Sequence, residues 1–170
     1  SYTYNNALAA KKNKLYFNYG IDLSGNLAGL ITGAQSYREK NILGVPFAQY
    51  ARADVDVHFT RTLSNKWDWA NRIFVGAGFP YGNSRVLPFS KQYIIGGSSS
   101  VRGFRSRNLG PGTHKPTAED QRYFQIIGGD YKLLMNTELR IPITSIISTA
   151  AFIDAGNIWT KDTLTFGPQG

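Results

Sequence analysis

The sequence predicts an all-β, antiparallel fold, and within that class a transmembrane β-barrel. Three observations point there. Apolar and polar residues alternate along several segments, those segments are long, and short and long connections succeed one another. Each segment taken singly also fits a soluble sandwich with its apolar face inward, so length separates the two readings. A tilted membrane strand needs about 9 to 11 residues, against roughly 5 or 6 for an ordinary soluble strand.

Composition bounds the answer before any element is placed. The chain has 170 residues, 42% of them hydrophobic, which suits one ordinary domain and argues against disorder. With no cysteine, disulfide scaffolds, zinc ribbons, CxxC redox sites and thiol nucleophiles drop out together. The formal charge of +8 favours an anionic partner: nucleic acid, a lipid or lipopolysaccharide surface, or an acidic polypeptide. No stretch approaches the roughly 18 uninterrupted apolar residues of a membrane helix, which rules out a helical membrane protein. A mean hydropathy of −0.28 still suits a barrel, whose signal is alternation. Ser1-Tyr2-Thr3-Tyr4 carries no basic region followed by an apolar one, so any signal peptide is expected to have been removed or to lie upstream.

From Leu15 to Leu23, Leu15, Phe17, Tyr19, Ile21 and Leu23 oppose Tyr16, Asn18, Gly20, Asp22 and Ser24. Gly25, Gly29 and Gly33 have helix-dimer spacing, but their flanks are polar and the stretch is too short to span, so it reads as loop or short helix. The clearest alternation runs from Phe47 to Arg61, where Phe47, Gln49, Ala51, Ala53, Val55, Val57 and Phe59 oppose Tyr50, Arg52, Asp54, Asp56, His58 and Thr60. Trp69 to Phe79 and Ile147 to Trp159 are Gly- and Ala-rich strands, with Trp67, Trp69 and Trp159 where an interfacial aromatic girdle would lie. Between them, Tyr131, Leu133, Met135, Leu139, Ile141 and Ile143 oppose Lys132, Asn136, Glu138 and Arg140. Five strands are thus expected. Leu63 to Lys66 and Thr144 to Ser145 are tight links, whereas Gln35 to Pro46 and Pro80 to Phe124 are long, as periplasmic turns and external loops should be.

Several chemistries find no support. Ser98, Ser99 and Ser100 lie outside any G-x-S-x-G frame, His58 and His114 lack metal spacing, and no phosphate-cradling glycine motif occurs. An enzyme is not expected. Asp54, Asp56 and His58 mimic a ligand set, but a polar barrel lumen demands the same residues. Arg102-Gly103-Phe104-Arg105-Ser106-Arg107 opens like an RNA-recognition signature on a basic β-rich protein. It then fails, because Arg105, Ser106 and Arg107 stand where Gly or Ala, Phe and Val belong.

The long connection holds Gly96-Gly97-Ser98-Ser99-Ser100-Val101-Arg102-Gly103-Phe104-Arg105. Asn136-Thr137-Glu138-Leu139-Arg140 follows, then Phe152-Ile153-Asp154-Ala155-Gly156. From about Leu15 onward this order resembles the barrel domain of the BamA/TamA family of outer-membrane assembly factors, the bacterial surface antigen proteins. That family carries a V-R-G-F/Y tip on its sixth external loop, a Glu-bearing strand just after it, and F-x-D-x-G on the next strand. Three elements in sequence on strands of the correct parity are a specific signal, where a lone RGF is not.

The resemblance implies a sixteen-stranded barrel, which needs on the order of 350 residues, so residues 1–170 are expected to be a partial barrel domain with a long external loop at about 80–125. It further implies that the loop folds inward and that Arg102 meets Glu138 and Asp154 as a latch. Parity puts Glu138 on the polar face of its strand, and Asp154 on one face with Phe152 and Gly156. Beside Val101, Gly103 would permit the tight tip and Phe104 would pack on the inner wall. The implied function is insertion of nascent outer-membrane β-barrel proteins in the bacterial outer membrane. Accessory assembly lipoproteins, outer-membrane lipids and lipopolysaccharide are the implied further partners, with no cofactor and no nucleic acid. The family's periplasmic POTRA repeats and last strands are expected to lie outside residues 1–170, and the residues of the gate between first and last strands are not identified. A two-partner secretion transporter, exporting one passenger through a similar barrel, is the close alternative. The phrase Pro80-Tyr81-Gly82-Asn83-Ser84 through Lys91-Gln92-Tyr93 leans toward the assembly factors.

Overall fold

The computed structural model describes residues 1–6, 12–33, 40–64, 67–113 and 128–161. Its elements are β1 (Tyr2–Asn5), β2 (Asn13–Ser24), α1 (Asn26–Thr32), β3 (Asn41–Ile42), β4 (Val45–Pro46), β5 (Tyr50–Ser64), β6 (Trp67–Pro80), a 3₁₀ turn (Phe89–Lys91), β7 (Tyr131–Pro142) and β8 (Ser148–Trp159). Six strands form one antiparallel sheet in the order β1-β2-β5-β6-β7-β8, and β3 and β4 make a separate small hairpin. The sheet is open, since β1 and β8 do not pair with each other.

Register explains why the alternation is so legible. From β2 to β8 the ladders join even-numbered residues to even-numbered ones, as in Gly20↔Asp54↔Gly76↔Lys132↔Ile158. The one exception is Ser64↔Trp67, at the bulge that ends β5. A single face therefore collects Asp22, Arg52, Asp54, Asp56, His58, Arg72, Lys132, Asn136, Glu138 and Asp154. Ile21, Leu23, Val55, Ile73, Val75, Phe79, Met135 and Ile153 stand exposed on the other.

The five expected strands are present with shifted ends, β2 and β6 running further at both ends and β5 further at its C-terminal end, and β1 joins them unanticipated because four residues carry too little pattern. β5 begins at Tyr50 rather than Phe47, because the backbone of Phe47 and Gln49 is bound to the neighbouring loop. Asn83 Nδ2 donates to Phe47 O (2.9 Å), Gln49 N donates to Ser84 Oγ (2.8 Å), and Tyr81 N donates to Gln49 O (3.1 Å). Ile147 belongs to the turn before β8, where Ile143 N donates to its carbonyl at 2.9 Å. The glycine triplet is a short helix, not a dimer motif. Gly25 (φ 73°) and Gly33 (φ 59°) flank α1, and Gly29 lies where a Cβ would meet the Gln49 amide at 2.5 Å. Asn65, Lys66, His114 and the long connection's stretch through Phe124 lie outside the described residues.

The packed core sits on the polar face of the sheet. Tyr93, Ile95, Val101, Leu134 and Ile158 form it, with Phe74 and Leu109 against them. Leu134 and Ile158 occupy even positions in β7 and β8, and the connection between β6 and β7 covers these two with its own apolar residues. Fully burying side chains of this size stabilises by roughly 1.5–3 kcal/mol each, enough to hold a long connection against the sheet.

Candidate functional site

The connection after β6 reaches the sheet through positions that have no side chain. Leu87 packs over Gly78, Tyr93 over Gly76, and Ile95 over Gly156; a Cβ added at these glycines would stand 2.5, 2.5 and 2.8 Å from them. Tyr93 and Gly129 exchange backbone hydrogen bonds at 2.8 Å, tying the incoming strand of the loop to the residues before β7. The chain then turns at Gly96 and Gly97, at φ 93° and 90°. It closes on itself through Gly97 N to Phe104 O (2.9 Å) and Arg107 N to Ile95 O (2.8 Å). Non-glycine residues rarely adopt such φ values, so the Gly-Gly pair is what lets the segment double back.

That turn delivers Arg102 to two acids on neighbouring strands. Its Nε donates to Asp154 Oδ2 at 2.7 Å and its Nη2 to Asp154 Oδ1 at 2.8 Å, a parallel fork, while its backbone N adds a bond to Oδ2 at 3.0 Å. Nη1 donates to Glu138 Oε2. The guanidinium also stacks on Phe152, with Cζ 3.6 Å from the ring centroid. Asn136 Nδ2 donates to Asp154 Oδ1 (2.8 Å) and to Ser100 O (2.7 Å), while Arg140 Nε donates to Glu138 Oε1 (2.6 Å). Two acids and two arginines balance locally. The hydrogen bonds to Asp154 and then Glu138 hold the Arg102 guanidinium above its ordinary pKa. Asp154 is the most enclosed member, its side chain 3% exposed against 26% for Arg102.

The structure therefore gathers Arg102, Glu138, Phe152 and Asp154 in one constellation, with Gly156 two residues along β8 making room for Ile95. Val101 is buried in the core, and Gly103 turns the tip at φ 91°. Phe104 is 49% exposed beside the open sheet, and Phe152 is stacked by the Arg102 guanidinium.

Other wall residues hold the loop by its backbone, and sequence reasoning gave them no such role. Arg72 forks onto Asp56 through Nε (2.9 Å) and Nη2 (2.8 Å), and its Nη1 donates to Ser99 O at 2.8 Å. Lys132 Nζ donates to Ile94 O at 2.8 Å. The available signal was parity, since His58, Arg72 and Asn136 are successive register partners on the inner face. Asp54, Asp56 and His58 engage one another and the wall arginines: Asp54 pairs with Arg52 at 3.5 Å, Asp56 pairs with Arg72, and His58 Nε2 lies 3.0 Å from Asp56 Oδ1. A cavity of about 320 Å³ lies beside the tip, bordered by His58, Arg72, Ser99, Arg102, Glu138 and Arg140.

Residues 40–167 match the Omp85 superfamily domain. The chain belongs to the Omp85 superfamily. Over 94 residues this Omp85 chain is 32% identical to the outer membrane protein assembly factor BamA of Neisseria meningitidis serogroup B, an alignment covering 52% of the chain and 11% of that relative. Its fold matches the crystal structure of BamA from Haemophilus ducreyi lacking POTRA domains 1–3, with a TM-score of 0.52 at 16% identity over 96% of this chain and 46% of that one. The chain thus spans under half the length of either relative. The open sheet is part of an outer-membrane β-barrel of bacteria, with its even-numbered face toward the lumen and its odd-numbered face toward lipid.

Proposed function

We propose that this Omp85 chain is the loop-bearing part of a barrel that inserts nascent β-barrel proteins into the outer membrane, with Arg102 acting as the latch that keeps the long loop in the lumen. One observation carries the reading: a single loop arginine grips carboxylates from two adjacent wall strands. The rigid fork of a guanidinium suits this, because it bonds one carboxylate twice and keeps a nitrogen for the second. An enclosed acid stranded without its partner costs more than a broken surface pair, so the contact resists opening. A wall held in one shape on its inner side can bear strain at the barrel's strand edges, where backbone groups template incoming strands by hydrogen bonding. Nascent outer-membrane proteins, accessory assembly lipoproteins, lipids and lipopolysaccharide are the partners on this reading. No covalent chemistry and no nucleotide hydrolysis enter it.

The test uses the full-length protein in proteoliposomes, with folding of a β-barrel client read by its heat-modifiable migration and loop release read by trypsin cleavage after Arg105. Arg102→Ala is expected to slow client folding and speed cleavage by about tenfold, with Arg102→Lys intermediate because the fork is lost. Asp154→Asn is expected to act more strongly than Glu138→Gln, since Asp154 accepts three of the Arg102 bonds and Glu138 one. Native client folding and native trypsin resistance in all four variants would remove the latch from the mechanism.

A further inference from the structure

The rim at the long-connection end carries an apolar surface that the loop and its latch leave unused. α1 follows directly on β2, and its Leu27, Leu30 and Ile31 are 77%, 81% and 84% exposed. Gly29, the buried residue of the helix, faces Gln49. At about 100° per residue, Leu27 and Ile31 point away from that contact and Leu30 flanks them, so the three leave the protein on its free side.

The helix carries no charge from Asn26 to Thr32, and its C-terminal carbonyls are bonded within the chain. Asn26 Oδ1 accepts from the Tyr81 hydroxyl, and Thr32 Oγ1 donates to Ala28 O at 2.8 Å. At the C-terminus, where carbonyls lack helical partners, Lys40 Nζ donates to Thr32 O and to Gly33 O, and Gly33 N donates to Gly29 O. Water would satisfy those carbonyls without help, whereas hydrocarbon would not. The surface is also continuous along the chain with an interface already assigned. Ile21 and Leu23, exposed on the lipid-facing side of β2, come immediately before Ser24 and Gly25, which lead into the helix.

We propose that α1 is an interfacial foot: Leu27, Leu30 and Ile31 insert among the acyl chains of the outer leaflet and carry the lipid-facing band beyond the ends of the strands. The occupant is lipid rather than protein because the patch adjoins the band that lipid already covers, and because the carbonyls at the C-terminal end of the helix are bonded within the chain.

The experiment places an NBD-labelled cysteine at Leu30 (Leu30→Cys) in the full-length protein, in vesicles of phosphatidylcholine and phosphatidylglycerol doped with a shallow nitroxide lipid. Ile21→Cys serves as the lipid-facing reference and Arg85→Cys, on an exposed loop, as the aqueous one. Ile31→Cys provides a second position on the helix, and heat-modifiable migration confirms that each variant folds. The expected result is nitroxide quenching at Leu30 and Ile31 within about twofold of Ile21, with iodide quenching several-fold weaker than at Arg85. Iodide quenching equal to Arg85 would place the helix in water and overturn the proposal. Shielding from both quenchers would overturn it as well, by showing the patch covered by a second copy or another protein.

Discussion

Tyr93 lies across Gly76 so closely that a Cβ at Gly76 would stand 2.5 Å from its ring. The ring is 3% exposed, its hydroxyl donates to Ala53 O at 3.0 Å, and the Arg52 guanidinium sits 4.3 Å above its centroid. Burial pushes the Tyr93 phenol up from its ordinary pKa, which keeps it a neutral donor to that carbonyl. Two wall strands thus position this aromatic residue of the inward-folding loop, and the missing side chain on β6 admits it.

Gly76→Ala is therefore expected to destabilise the barrel by about 1–3 kcal/mol, the usual range for overpacking a filled site. Thermal unfolding of the full-length protein in detergent reads the loss. Adding Tyr93→Leu should recover part of it, because the two changes share one contact and cannot be additive. Strict additivity would show that the glycine matters for some other reason.

Arg72 is expected to be a second grip on the loop, independent of Arg102. Its fork onto Asp56 fixes the guanidinium so that the remaining nitrogen meets Ser99 O. Arg72→Lys loses the fork, and amide exchange around Ser99 and Ser100 should rise by about tenfold, a cost of ~1.5 kcal/mol for one charge-assisted bond. Asp56→Asn, which leaves Arg72 in place but unfixes it, should raise exchange in the same segment by a smaller factor. Hydrogen exchange unchanged in both variants would assign the pair to the wall alone.

Leu134→Ala should cost about 2–5 kcal/mol, because this fully buried leucine on an inner-face position is covered by Tyr93, Ile95 and Val101 from the loop. The distinctive expectation is where the loss appears. Trypsin should gain access after Arg105 at temperatures where the strands remain folded, since the cavity opens under the loop and not between strands. Loop and strands melting together in the variant would count against a separate loop core.

Much of this molecule is local and so was legible. A two-residue period fixes which way each side chain points, so Asp56, Lys132, Asn136, Glu138 and Asp154 could be placed on one face before any fold was known. Strand length gave the membrane reading, and the order of Val101-Arg102-Gly103-Phe104, Glu138 and Phe152-Ile153-Asp154 carried the resemblance. The ends were read less well. Phe47 and Ile147 continue an alternating pattern, but their backbones belong to loop and turn. β1 is too short to register as a period.

The amino-acid order by itself determined the strands, their two faces and the class of barrel, because alternation is a property of neighbours along the chain. Only the tertiary structure decided that Arg72, Lys132 and Asn136 hold the loop by its carbonyls, that Leu134 and Ile158 are covered from within, and that Phe152 takes the guanidinium. Each of those depends on where a long connection comes to rest on the wall. That resting place is set by glycines at 76, 78 and 156 facing Tyr93, Leu87 and Ile95, and residues brought together over such separations leave no periodic trace in the sequence.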